Sequence, residues 1–197
     1  MAKNKTKLPD AAHTSQPWLI HEFTSDFRLE DVWALPTPGD RDEFPTLIAG
    51  ASVLDPAESS SRLVSGLFAL RWWLGGLFGW DDDPGPGDPD APTLRDRIPA
   101  DLLESVEDLE FDLPFEPLYF AGDELAAEVA NKTVHGVLHL GWVPDGAGGY
   151  RGQMAVLVKP NGMFGKAYMA AITPFRYLIY PLAMRDIQRD WEERPYQ

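Results

Sequence analysis

The sequence predicts an α+β fold in which an antiparallel meander precedes one long C-terminal helix. Two patterns carry this. Runs rich in Val, Leu and Tyr between Pro117 and Ile172 are separated by turns rich in Gly, Asn and Asp. After them, Phe175, Ile179, Ala183, Ile187 and Trp191 recur at four-residue spacing, flanked by Leu178 and Leu182. A chain of 197 residues supports one domain with a substantial core and is short for two.

The N-terminus, residues 1–16, holds three lysines and no apolar stretch of the kind a secretory signal needs. It reads as a mobile tail ahead of a single domain over 17–193. The first ordered element expected is a strand from Trp18 to Thr24, with Trp18, Ile20 and Phe23 among polar neighbours. Ser25 or Asp26 then caps a short helical turn through Glu30, Val32 and Trp33, stopped by Pro36 and Pro38. A second short helix is expected over 42–51. The hydroxyls of Ser59, Ser60 and Ser61 cap a longer one, whose face carries Leu63, Leu67, Leu70, Leu74 and Leu77. These are extra helices inserted after the first strand. Thr93 caps a turn through Leu94 and Ile98, and a short helix is expected over 101–109.

The second half changes to strands: Pro117 to Ala121, Glu124 to Asn131, Thr133 to Val143, Tyr150 to Lys159 and Lys166 to Ile172. Asp145 to Gly149 is a flexible hairpin connection, and Pro160-Asn161-Gly162 a tighter one. Neighbouring strands so connected pair antiparallel. Thr173 and Pro174 suit the start of the final helix, in which Pro181 introduces a kink.

Composition excludes several functions. With 31 acidic and 17 basic residues the formal charge is -14, which repels phosphate backbones and anionic lipid. Nucleic acid is therefore not an expected partner. Cysteine is absent, so disulfides, thiolate metal sites and a cysteine nucleophile are ruled out together. No cofactor is expected, because P-loop and Rossmann glycine patterns are missing. Residues 63–80 are strongly apolar, but Arg71 and several glycines interrupt them, so a buried helix is expected and no membrane span. The acidic loop over 81–92 lacks EF-hand spacing and reads as solvated. The cytoplasm is the expected compartment.

Several stretches resemble an uncharacterised family, the domain of unknown function 2867. They are PWLIHE from Pro17, FRLEDVWALPTP from Phe27, TLRDRIPADL from Thr93, VHGVLHLGWV from Val134, YRGQMAVLVKPNG from Tyr150 and PFRYLIYPLAMR from Pro174. That family looks like part of the START, polyketide-cyclase and pollen-allergen group. The resemblance implies a helix-grip fold, in which a curved antiparallel sheet grips the long C-terminal helix around a cavity. It also implies lipid- or polyketide-like ligands, with catalysis in some members.

Candidate chemistry is sparse. His135 and His139 share a strand face but stand about 13 Å apart at ordinary strand rise, too far to ligate one metal. No metal is expected. As single groups, either could act as acid or base inside an apolar pocket. However, Val134, Leu138, Leu140 and Trp142 look more like core, which places both histidines on an outer, solvated face. His21, on the expected first strand, could join either arrangement. Tyr168 beside a cavity offers a phenolic donor and joins the histidines as a catalytic candidate. The expected ligand-lining residues are Trp72, Trp142, Met154, Tyr168, Met169 and Ile179. The expected function is binding of a small apolar ligand. The alternatives are a cyclase or dehydratase on the same scaffold, and a protein-interaction module built on the acidic surface or the Trp-rich helix.

Overall fold

The structure is a computed structural model that describes residues 6–50, 92–109, 111, 115–130 and 134–194. Within the last of these stretches, the side chains at 164, 167, 168, 171, 172, 174, 175, 178 and 179 lie outside the description. The leucine-rich helix expected from Leu63 and the acidic loop after it fall outside the described residues altogether.

Short connections and alternating sequence give an α+β architecture with a curved, six-stranded antiparallel sheet. The strands are β1 (Lys7–Leu8), β2 (Arg28–Ala34), β3 (Glu116–Ala121), β4 (Glu124–Ala130), β5 (Val134–Pro144) and β6 (Tyr150–Pro160). Their order across the sheet is β1-β2-β6-β5-β4-β3. The C-terminal helix α5 covers Gly162–Glu193, 32 residues, or about 48 Å at 1.5 Å rise. Short helical pieces are α1 (Ala11–Thr14), α2 (Ile20–Phe23), α3 (Phe44–Ala49), a 3-10 turn (Arg95–Arg97) and α4 (Ala100–Glu104).

The meander from β3 to β6 follows the expected segments closely. Three other expectations are corrected. First, residues 18–24 are not a strand. Ile20 and Phe23 are both buried, and spacing of three puts them on one face of α2 but on opposite faces of a strand. Second, the strand of this region is β2, expected as a helical turn. Leu29, Val32 and Trp33 mimic helical spacing because a bulge between Leu29 and Asp31 breaks the alternation. Third, no strand runs from Lys166 to Ile172; these residues are the first half of α5. Alanines at 167, 170 and 171 favour a helix. Thr173 does not cap: its hydroxyl donates back to the Met169 carbonyl at 2.7 Å, as mid-helix threonines do. Gly162, at φ +65°, launches this helix instead of closing a hairpin.

Residues 7–14 were expected within a mobile tail. Here Lys7 and Leu8 pair with Trp33 and Val32, and α1 places His13 at 1% exposure.

The sheet is covered on both faces. One face carries Trp33, Leu138, Leu140, Trp142 and Met154 against α3 and the Met184 and Ile187 side chains of α5. The opposite face carries Val32, Leu118, Ala126, Val137, Ala155 and Leu157 against Trp18, Ile20, Phe23, Leu94 and Ile98. Two-sided cover is why β5 is buried almost without interruption, where a one-sided sheet alternates. Gly141 marks the closest approach of the second cover. A Cβ there would stand 2.8 Å from Cζ2 of Trp18 and 2.9 Å from its Cη2. Gly141→Ala is expected to cost about 1–3 kcal/mol by overpacking, read as a lower urea midpoint at unchanged slope. An unchanged midpoint would mean the indole is free to move aside.

Candidate functional site

Each face of the sheet holds buried polar groups, and the two sets differ in kind. On β4, Glu124 and Glu128 are four apart and so share a face; on β5, His135 and His139 do likewise. In the antiparallel register Glu124 lies opposite Gly141 and Glu128 opposite Val137. Each carboxylate therefore reaches the histidine diagonally across, a neighbour within range of long side chains. His139 Nε2 meets Glu124 Oε2 at 2.9 Å, and His135 Nε2 meets Glu128 Oε2 at 2.7 Å.

Both histidines are buried, contrary to the solvated face expected of them, because the N-terminal segment and residues 93–106 lie over this side. Each glutamate also holds down the start of a covering helical piece. The Leu19 N–H, ahead of α2, donates to Glu124 Oε1 at 2.8 Å, and the Leu94 N–H, ahead of the 3-10 turn, donates to Glu128 Oε2 at 2.9 Å. The hydroxyls of Tyr119 and Thr93 donate to Glu124 and Glu128 respectively.

The Glu124 pair continues outward as a chain of imidazoles. His13 Nε2 lies 3.2 Å from His139 Nδ1, and His21 Nε2 lies 3.2 Å from His13 Nδ1. Adjacent rings meet edge to face with centroids 4.9 Å apart. A carboxylate only accepts, so His139 must carry its proton on Nε2. This leaves Nδ1 to accept from His13, whose Nδ1 in turn accepts from His21. Three neutral rings in one tautomer satisfy the whole chain.

Burial, then the neighbouring His139 and His21, push His13 down to about 3. Burial also lowers His139, although its bond to Glu124 works the other way. For Glu124, burial opposes ionisation but is outweighed by His139, the Leu19 N–H and the Tyr119 hydroxyl, which hold it below the usual carboxylate range. Glu128 follows the same balance, with His135, Thr93 and Leu94 prevailing over burial. The nitrogens do not converge on a point, and no group of three or more ligands among the described residues could hold a metal.

The helix-facing side is built differently. Asp31, fully buried on β2, ion-pairs with Arg176 of α5 and with Lys7 of β1 at 3.2 Å. Arg176 also approaches Glu30 at 3.4 Å. Tyr180, one helical turn on, packs edge-to-face on Trp33 with centroids 5.3 Å apart. Burial raises the Tyr180 phenol to about 12; Arg176 opposes this and Asp31 adds to it. The indole N–H of Trp33, a residue 3% exposed, has no acceptor among the described residues, and neither does Nε of Arg176.

Of the sequence-chosen lining residues, Trp142 and Met154 share the helix-facing cluster, with Trp142 stacked on Phe44 and its N–H donated to the Asp40 carbonyl. Met169 is buried elsewhere along the helix, against Val134, Val156 and Val158. Trp72, and the side chains of Tyr168 and Ile179, lie outside the described residues. His135 and His139 stand on the opposite face from Trp142 and Met154. Sequence reasoning missed Trp33, Asp31 and Tyr180 on this face, and His13, Glu124 and Glu128 on the other. Asp31 was the available signal, one of two adjacent acids set between Leu29 and the apolar Val32-Trp33.

No helix among the described residues is long and apolar enough to cross a membrane. No curated protein and no solved structure matches the chain. A family model described as a protein of unknown function, DUF2867, matches residues 23–183, from the end of α2 into the last third of α5. Because that match spans most of the sheet and the helix against it, the chain belongs to the DUF2867 family.

Proposed function

We propose that the protein binds a small, mostly apolar ligand between the sheet and the C-terminal helix, in the helix-grip manner of START-like proteins. The observation that carries this reading is the buried Trp33 N–H with no acceptor among the described residues. A buried donor left unbonded costs about 1–3 kcal/mol, and such donors are few in native structures; a second, the indole N–H of Trp18, lies on the opposite face. Here it lies in an apolar layer beside the Tyr180 ring, with Trp142, Met154 and Met184 in the same cluster. Mostly apolar walls with a few polar groups are how pockets for small ligands are built. The ligand this favours carries a hydrogen-bond acceptor, such as a carbonyl, on an apolar body. Catalysis on the same scaffold is the second reading. Tyr180 is the observation for it, since a phenol raised to about 12 stays protonated at neutral pH and can donate.

Native mass spectrometry of gently purified protein is expected to show a discrete adduct of about a few hundred daltons, the scale of such pockets. Trp33→Phe keeps the ring and removes the donor, and is expected to reduce ligand affinity about tenfold, the worth of one good hydrogen bond. A bare mass, with no thermal shift from a panel of lipids and aromatic polyketides, would overturn the reading.

A further inference from the structure

We propose that residues 10–24 form an acid-released latch, held on the sheet by the neutral imidazole chain His21–His13–His139 and let go when that chain takes up protons. The segment is poorly held by its own structure. It contains two four-residue helices, neither with a side-chain N-cap, each closed at its end by one hydroxyl, Ser15 to the Ala11 carbonyl and Thr24 to that of Ile20. Its attachments among the described residues are the imidazole chain, the Leu19 N–H on Glu124, hydrogen bonds from Gln153 to the Ala12 carbonyl and from Arg97 to the Phe23 carbonyl, and the apolar anchors Trp18, Ile20 and Phe23.

The chain tolerates a first proton and not a second. His21 is only partly buried, and no described residue bonds its Nδ1. A proton arriving there leaves every hydrogen bond in place. A second proton, on whichever ring, sets N–H against N–H across one of the two 3.2 Å contacts and adds positive charge beside the first. The groups facing these rings come from every packed element: His21 from α2, His139 from β5 with the Trp18 ring against it, and Glu124 from β4 with Tyr119 of β3 bonded to it. Glu22 of α2 acts on Tyr119 from further off. Among the described residues Glu124 is the one carboxylate bonded to the imidazole chain, and it touches only its inner end.

The direction in pH follows from linkage. Histidines that are free in the open segment but stay neutral when closed bind more protons in the open state. Opening then rises tenfold per pH unit for each such group, starting near the ordinary histidine value of about 6.5. For His13 the rise continues down to about 3. His139 acts in the same sense, and so does Glu124 once the pH falls below the ordinary carboxylate range. The second clasp, His135 on Glu128, has no histidine stacked upon it. Cover on that side is not expected to share the effect.

Hydrogen exchange of the intact chain between pH 7 and pH 5, corrected for intrinsic rates, tests this. Amides of 11–24 are expected to lose protection by about tenfold or more per pH unit below pH 6.5, while those of β5, β6 and the 94–104 segment do not. Equal loss in all of them would overturn the latch, since it would mean global unfolding, and so would no loss in 11–24. His13→Gln keeps a donor and an acceptor without a titrating ring and is expected to reduce the slope by about one decade per pH unit. An unchanged slope in that variant would also overturn it.

Discussion

Replacing Glu124 by alanine is expected to lower the free energy of unfolding by about 3–5 kcal/mol, because each buried donor left without its acceptor costs about 1–3 kcal/mol. Glu124 is 4% exposed and accepts from three sources: the His139 ring, the Leu19 amide and the Tyr119 hydroxyl. Alanine would leave all three donors buried without a partner. Against a typical domain stability of about 5–15 kcal/mol, such a loss is large. Urea unfolding followed by tryptophan fluorescence measures it. Glutamine retains an acceptor oxygen, so Glu124→Gln is expected to lose less than alanine does. A loss below about 1 kcal/mol for Glu124→Ala would mean that water replaces the carboxylate easily, and the account of this hub would fail.

The same residues show what the sequence could and could not say. Four-residue spacing on one strand put His135 with His139, and the strand boundaries from β3 to β6 were readable from runs rich in Val, Leu and Tyr and the turn residues between them. What periodicity could not supply was the second cover. A face carrying His, Val, His and Gly reads as solvent-facing until His13, more than a hundred residues earlier, closes over it. That contact is set by the place of β2 beside β6, which carries the N-terminal segment across the middle of the sheet. The helix-facing site was hidden for a related reason. Asp31 and Trp33 lie on a bulged strand whose pattern imitates a helix, and their partners Arg176 and Tyr180 are a turn apart on the far side of the fold. Composition alone, with its aromatic excess, pointed to the apolar face but not to its polar members.

The Asp31–Arg176 pair is expected to behave as a coupled unit, and a double-mutant cycle measures that coupling. Arg176→Met alone leaves a fully buried carboxylate with Lys7, itself on the exposed edge, as its remaining cation, and is expected to cost about 3–5 kcal/mol. Asp31→Leu alone leaves Arg176 with the weaker Glu30 contact at 3.4 Å and is expected to be destabilising too, though less so. Together, Asp31→Leu and Arg176→Met exchange a buried ion pair for apolar volume, a change that is often neutral or stabilising. The double variant is therefore expected to recover most of the loss of Arg176→Met, giving a coupling of at least about 2 kcal/mol. If the two single effects simply add, the pair is not a unit and the geometry has misled. The cycle also separates stability from binding. Arg176 stands one turn from Tyr180, which packs on Trp33, so a double variant that is stable yet loses the proposed ligand assigns the ion pair to the proposed site; one that is stable and still binds assigns it to the fold.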